Sequence, residues 1–343
     1  MNNNITGKNI LLLCERFYGY DIAIRDELYK LGANHVFLKN ARYFNGSFRE
    51  PKNFRIQYLL LNPFERRCWT KKFIEEISDQ HFDLFICIEN ACFIESFMSY
   101  LQRKNPKIKT ILFLWDTYKT QQGKFKDYRL LFDKVYSFDR DDAKLYGLDY
   151  FPDFYIPQEN QNEYLYDLSF VGTANGSSTI HRFELVDYVS QFCKSNNLNA
   201  FLYLKTYKSS STRNPIKRLK RKLCGKTKLQ QLCEKYKNER WLHFEPINLD
   251  ECNKIQSQAR VLLDLNHKDR QGMTINCITA LAQGQKLITT NKRIKDESFY
   301  DPNMIYIMDD ERPYLDLAFW NLPSKPIDLS HLRIDNWLLY ITS

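Results

Sequence analysis

Short apolar runs alternate with amphipathic stretches along the first half of the chain. Ile10–Leu13, His35–Leu38, Leu84–Ile88, Thr110–Leu114 and Lys134–Phe138 read as strands, and Asp21–Leu31, Glu65–Ile77 and Phe93–Arg103 carry the spacing of helices. Strands separated by helices predict a right-handed, doubly wound sheet over residues 1–155. The pattern then breaks at DYFPDFYIPQENQN (149–162), where two prolines, an aromatic cluster and a polar run mark a linker.

A second alternating series follows. YDLSFVGTANGSSTIHR (Tyr166–Arg182) reads as a strand, a small-residue loop and a helix start; Asn199–Lys205 and Trp241–Phe244 read as strands and Asp250–Ala259 as a helix. Between Arg260 and Asn291 lie a strand (Val261–Leu265), a polar loop closing on Gln271-Gly272, a helix (Met273–Ala282) and a strand (Lys286–Thr290). A last strand falls within Phe299–Asp310, and Leu332, Trp337, Leu338 and Ile341 share one face of a terminal helix. The fold class predicted is α/β: two Rossmann-like domains, 1–155 and 156–315, with a helical tail at 316–343.

In open parallel sheets ligands sit beyond the carboxyl ends of the strands, and free N–H groups at a helix start favour an anion. Gly272, Met273 and Thr274 occupy such a position, although an ordinary crossover that binds nothing has the same spacing. Gly172 allows close backbone approach, Thr173 can donate and Arg182 offers a planar fork for phosphate; a tight turn accounts for Gly172 equally well. No GxGxxG follows the first strand, which speaks against a dinucleotide cofactor of the usual kind. Asp139-Arg140-Asp141 opens an amphipathic helix, so its acids read as first-turn residues favoured by the helix dipole and not as metal ligands.

Composition narrows the function classes. With 343 residues, 43% hydrophobic and 15% aromatic, the chain can build two cores, and nowhere do about 18 apolar residues run together to span a bilayer. Nine cysteines lie scattered without a CxxC pair, which argues against zinc and suits a reducing, cytosolic compartment. The formal charge of +9 is concentrated: Lys205–Lys228 holds ten Lys or Arg and no acid. Pro215 can open a helix there with Ile216, Leu219 and Leu223 on one face and Lys217, Arg218, Lys220, Arg221 and Lys222 around the rest, the pattern of an interfacial helix on anionic lipid. A solvated loop and a cradle for a polyanionic glycan stay open; nucleic acid is disfavoured by the missing aromatic interleaving.

Several stretches together resemble the CgeB-like bacterial glycosyltransferases of the GT-B class, found with surface-polysaccharide genes. LDLNH (Leu263–His267), QGMTINCITAL (Gln271–Leu281) and KLITTN (Lys286–Asn291) match that family's LDI-N-H, Q-x-G-L-T-M-R-x-x-E-A-L and K-L-I-T-T-N. CERFYGYD (Cys14–Asp21), FLWDTYKT (Phe113–Thr120), SFDRDDAKLYGL (Ser137–Leu148), DLSFVGT (Asp167–Thr173) and FYDPNMI (Phe299–Ile305) match further elements in order, so the resemblance covers most of the chain. Two positions depart from it: Asn276 stands where the pattern has Arg, and Thr279 where it has the Glu that holds the donor ribose in related sugar-nucleotide enzymes.

The resemblance implies a GT-B fold of two domains facing across a cleft, the last helix returning to the first domain. It further implies a nucleotide-sugar donor as co-substrate, no cofactor, and a lipopolysaccharide or capsule acceptor at the inner face of the membrane. Gly172, Thr173, Arg182, His267, Gln271, Gly272, Met273, Thr274 and Thr279 would contact the donor, and Asp21 and Glu89 the acceptor. Asp116, then Glu15, would accept the proton of the attacking hydroxyl. Strand-end acids also commonly cap helices, so each has that second explanation. Thr279 and Asn276 leave open a GT-B-like protein that binds a glycan or nucleotide without turnover.

Overall fold

The computed structural model describes residues 4–14, 16, 18–40, 67–68, 70–88, 95–117, 130–157, 163–207, 227–268 and 270–343. The chain divides into two compact units, Met1–Phe154 together with His331–Ser343, and Tyr155–Ser330. Residues 316–330, read from the sequence as part of a tail, belong to the second unit.

The first unit is built on a parallel sheet of β1 (Asn9–Cys14), β2 (His35–Asn40), β3 (Leu84–Ile88), β4 (Lys109–Leu114), β5 (Lys134–Ser137) and β6 (Asp149–Tyr150), in the order β2-β1-β3-β4-β5-β6. Every residue of β3 is buried, as are all but the first of β1 and β4, because a parallel sheet is covered on both faces and its strands read as continuous apolar runs. Helices α1 (Tyr20–Lys30), α2 (Glu95–Lys104) and α3 (Arg140–Tyr146) and the helical stretch 70–76 accompany it. Phe73 and Phe97 stack in the core with ring centroids 4.9 Å apart.

The last helix is part of this unit. Trp337, fully buried, lies 4.7 Å from the ring of Phe113 and 4.9 Å from that of Phe154, and its indole N–H donates to the Pro152 carbonyl at 3.0 Å. The face expected from the sequence, Leu332, Trp337, Leu338 and Ile341, is wholly buried. Lys109 and Lys134, at the starts of β4 and β5, donate to carbonyls of Thr342 and Ser343, so cations meet the negative end of the helix dipole.

The second unit holds β7 (Leu168–Thr173), β8 (Ala200–Lys205), β9 (Leu242–His243), β10 (Val261–Asp264), β11 (Lys286–Thr289) and β12 (Ile305–Ile307), again all parallel, in the order β12-β11-β10-β7-β8-β9. Its helices are α4 (Arg182–Ser195), α5 (Lys228–Lys235), α6 (Leu249–Ser257), α7 (Ile275–Ala282) and the single turn α8 (Ala318–Asn321); α9 (Ile334–Ile341) is the helix of the first unit just described. Lys286, 2% exposed, ties α8 down by donating its ammonium to the Phe319 and Leu322 carbonyls. Among the described residues no helix is long and apolar enough to cross a membrane.

In such sheets the strand order reverses at one point, where neighbouring connections leave to opposite faces and open a crevice at the carboxyl ends. In the first sheet that point lies between β1 and β3, and in the second between β7 and β10.

Candidate functional site

The reversal in the second sheet is where the predicted donor residues gather. β7 ends at Thr173 and β10 at Asp264, and Arg182, opening α4, reaches back so that its guanidinium donates to the Thr173 carbonyl at 2.8 Å. Arg182 makes no ion pair among the described residues, and its Nε is buried without a partner. Burial pulls its pKa down, Asp264 opposes this, and Arg270 adds to it. The Asp264 carboxyl is pushed up by burial, against which work Arg182 and donors from Thr289 (Oγ1 to Oδ2, 3.0 Å) and Cys277. A guanidinium with spare donors, held between a backbone carbonyl and a desolvated acid, is an anion receptor in waiting.

The loop after β10 is shaped by side chains that bond backbone. Asn266 donates to the Arg270 carbonyl at 2.6 Å, and its own N–H donates to Thr290 Oγ1 at 2.8 Å. Asn291, 3% exposed, donates to the Gln271 carbonyl at 2.7 Å. Across the crevice, Ser178 Oγ and His267 Nε2 lie 2.8 Å apart, and Lys268 N–H donates to the Ser178 carbonyl. His181, beside Arg182, has Nδ1 buried without a partner; burial, Lys268 and Arg182 hold its pKa down, so the ring is neutral at pH 7. The two loops are thereby braced before any ligand arrives, which lowers the ordering cost of binding.

The helix start is two residues later than the spacing suggests. α7 begins at Ile275, with Thr274 as N-cap accepting from Cys277 N–H, so Met273, 6% exposed, and the buried Gly272 belong to the loop. No acid lies in the first turn of α7. Gly172 has a reason of its own in the core. A Cβ there would stand 2.5 Å from Phe170 Cζ, so the glycine makes room for a core ring. Thr279 spends its hydroxyl on the Ile275 carbonyl at 2.8 Å, turned into its own helix.

At the reversal in the first sheet, β1 leads through Tyr18 (φ 52°) and Gly19 (φ 75°), both left-handed, into α1. Tyr18 is exposed and held in a conformation costly for an aromatic residue. Asp21, in the first turn of α1, is 5% exposed, and its Oδ1 has no donor among the described residues. Its neighbour Tyr20 packs edge-on against Trp115 at 6.0 Å and Phe154 at 5.8 Å, and the Trp115 indole N–H is likewise buried without an acceptor. Asp116, after β4, accepts from Thr117 N–H through Oδ1 at 3.2 Å. Asp139 caps α3, accepting from Asp141 and Asp142 N–H groups at 3.0 and 3.1 Å. Glu15, Glu89, Lys217, Arg218, Lys220, Arg221 and Lys222 lie outside the described residues.

Sequence reasoning passed over Asp264, Asn266, Asn291, Ser178 and Trp115. The first two sit inside the LDLNH stretch, where the strand-end position was the available signal.

No family model and no curated protein matches the chain. Solved structures do. The N-terminal domain of trehalose-6-phosphate phosphatase from Candida albicans aligns with a TM-score of 0.53 at 10% identity, covering 97% of this chain and 95% of that one. A UDP-N-acetylglucosamine 2-epimerase aligns at 0.51 and 10% identity (98% and 96%), and the UDP-GlcNAc 2-epimerase of Methanocaldococcus jannaschii at 0.50 and 10% (97% and 99%). At such identities the likeness is one of fold: the chain is α/β and GT-B-like, with two Rossmann-like units.

Proposed function

We propose that this protein is a glycosyltransferase that moves a sugar from a nucleotide-sugar donor to a cell-surface glycan acceptor of lipopolysaccharide or capsule type. The observation that carries the reading is Arg182 at the reversal of the second sheet, its guanidinium on the Thr173 carbonyl and its buried Nε without a partner among the described residues. The donor diphosphate would lie between that guanidinium and the first N–H groups of α7. The two epimerases among the solved structures bear names that refer to UDP-sugars, which fits a donor of this class.

The acceptor hydroxyl would enter at the carboxyl edge of the first sheet. The sequence puts Asp116 first and Glu15 second as the base; Asp21, read there as an acceptor contact, is favoured instead, because its buried Oδ1 lacks a donor among the described residues at a cost of about 1–3 kcal/mol that an acceptor hydroxyl would offset. In the transfer, the acceptor hydroxyl gives its proton to a base and its oxygen bonds to the anomeric carbon. The bond from that carbon to the phosphate oxygen breaks, its electron pair leaving with the phosphate, which Arg182 and the α7 dipole stabilise. The basic segment would hold the enzyme beside a lipid-linked acceptor; anionic-liposome binding that survives replacing Lys217, Arg218, Lys220, Arg221 and Lys222 by Gln would refute that part.

A second reading, a nucleotide- or glycan-binding protein without turnover, is favoured by Thr279, whose hydroxyl is committed to Ile275 where related enzymes grip the ribose. Calorimetric titration with UDP-, GDP- and CMP-sugars, joined to a turnover assay, separates the two. Transfer with one donor, affinity falling about 10- to 100-fold in Arg182→Gln, and transfer lost at unchanged affinity in Asp21→Asn are the expected results. Binding without transfer to any acceptor supports the second reading, and no nucleotide binding at all counts against both.

A further inference from the structure

Two consecutive side chains at the head of α4 share one defect. Arg182 Nε and His181 Nδ1 are both buried with no hydrogen-bond partner among the described residues. Buried polar atoms are nearly always bonded, so each of these asks for an explanation. A bound diphosphate gives the first a partner and leaves the second idle. His181 is also the N-cap residue of α4, a helix of 14 residues, and its side chain accepts nothing from that helix.

The state of the ring limits what can satisfy it. His181 hydrogen-bonds the Asn266 backbone in the sense that favours its charged form, so Nε2–H donates to that carbonyl and Nδ1 carries the lone pair of the neutral ring. Two kinds of partner fit a buried lone pair: a ligand O–H or N–H donor, or a proton. A diphosphate diester offers oxygen acceptors and no donor. It can meet Nδ1 only after Nδ1 has become an N–H itself.

The charges facing the ring come from three elements. Arg182 on α4 and Lys268 on the loop after β10 oppose a proton, and Asp310, beyond β12, favours one. His267, next to Lys268, places its Nε2 2.8 Å from Ser178 Oγ, and the Lys268 N–H bond to the Ser178 carbonyl at 3.3 Å holds that loop against the turn before α4. Burial and the two cations prevail, and without ligand the ring stays neutral at pH 7. An anion bound on Arg182, one residue away, reverses that balance. An opposite charge within about 4–6 Å moves a titration by about 1–3 pH units, enough to carry this ring back across neutrality.

We propose that His181 is a second cationic contact for the donor diphosphate: on binding, its Nδ1 takes a proton from solvent and donates it to one phosphate oxygen while Arg182 Nε donates to another. Donor binding is then coupled to uptake of a proton. This rests on the reading of the crevice as a donor site. The competing partner for Nδ1 is a hydroxyl or amine of the ligand, which would leave the ring neutral.

The test titrates the full chain with UDP-glucose and GDP-mannose, whose diphosphates hold no proton near neutrality, from about pH 5.5 to 8. Calorimetry in buffers of differing ionisation heat counts the protons taken up. Uptake approaching one proton is expected at and below neutrality. Affinity should rise as pH falls, by up to about tenfold per pH unit, and level off once the unliganded ring is itself protonated. His181→Gln should abolish both the uptake and the pH dependence; His181→Asn covers the case in which the first variant fails to fold. Ring-nitrogen spectra of the parent with isotope-labelled histidines should show one ring becoming protonated on adding ligand at pH 7. Binding without uptake, or uptake that survives in both variants and so belongs to another group such as Asp264, would overturn the proposal while leaving the donor site standing. Failure of both sugar nucleotides to bind at any pH would count against the donor site itself, and the proposal would fall with it.

Discussion

Replacing Trp337 by alanine tests whether the terminal helix is a working part of the first unit's core. The indole is fully buried, contacts two rings at under 5 Å, and satisfies the Pro152 carbonyl. Removing a buried tryptophan costs about 3–5 kcal/mol through lost transfer energy and the cavity left behind, and the orphaned carbonyl adds about 1 kcal/mol. Since whole domains are stable by only about 5–15 kcal/mol, the variant should sit near the edge of folding. For a unit of this size the loss corresponds to a melting temperature lower by roughly 10–20 °C. Trp337→Phe keeps a ring against Phe113 and Phe154 and loses the hydrogen bond, so about 1–2 kcal/mol is expected. Scanning calorimetry reads the size of the effect, and hydrogen exchange locates it: peptides from β4, β5 and β6 should exchange faster in Trp337→Ala. A change below about 1 kcal/mol, or exchange in β4 to β6 identical to the parent, would show that the helix only rests on the surface.

Gly172→Ala should destabilise the second unit by about 1–3 kcal/mol, since the added methyl meets Phe170 at 2.5 Å, and Phe170→Leu should restore part of the loss; additive losses in chemical denaturation would contradict this. Asn291→Ala removes the donor that holds the Gln271 carbonyl and should cost about 1–3 kcal/mol, with any phosphate-ligand affinity falling alongside; an unchanged denaturation midpoint would refute the bracing role. His181 has its pKa held below the ordinary value of about 6.5 by burial and by Lys268 and Arg182, with Asp310 and the Asn266 backbone opposing. Its contribution to stability is complete above that value. It declines as pH falls from there towards the lowered native value, because the unfolded ring takes up the proton first. His181→Gln should therefore flatten the pH dependence of stability below neutrality, and an unchanged slope would remove the argument.

Most strands of both sheets could be read from the residues because burial on both faces writes them as uninterrupted apolar runs; Leu84–Ile88 needed no revision. β6 holds two residues, too few for any periodicity to register, whereas β9, also two residues, lies inside the strand read at Trp241–Phe244. Within the candidate site, Arg182, Thr173 and Gln271 were visible as residues at strand ends and helix starts. Their meeting was implied only by the resemblance, since it depends on the strand order that brings β7 beside β10. Asp264 escaped notice for the same reason: a strand-end aspartate is ambiguous until the cation that opposes its burial is seen to come from another element. Gly172 carries a second reason that was not legible. Its neighbour two residues back, on the same face of the strand, supplies it, and no signal in the sequence separates a ring from a ligand as the occupant.

The last helix also sets a schedule. Because the first unit is completed only by His331–Ser343, its sheet is synthesised before the second unit while the tryptophan that closes its core is synthesised after it. Tyr155–Ser330 is one continuous segment and has all its strands in hand before then. The usual order, in which the N-terminal domain folds first, is thus inverted. The leading sheet must wait as an open intermediate with the apolar surface around Phe113 and Phe154 uncovered, and this is the stage of biosynthesis at which the protein would lean most heavily on chaperones.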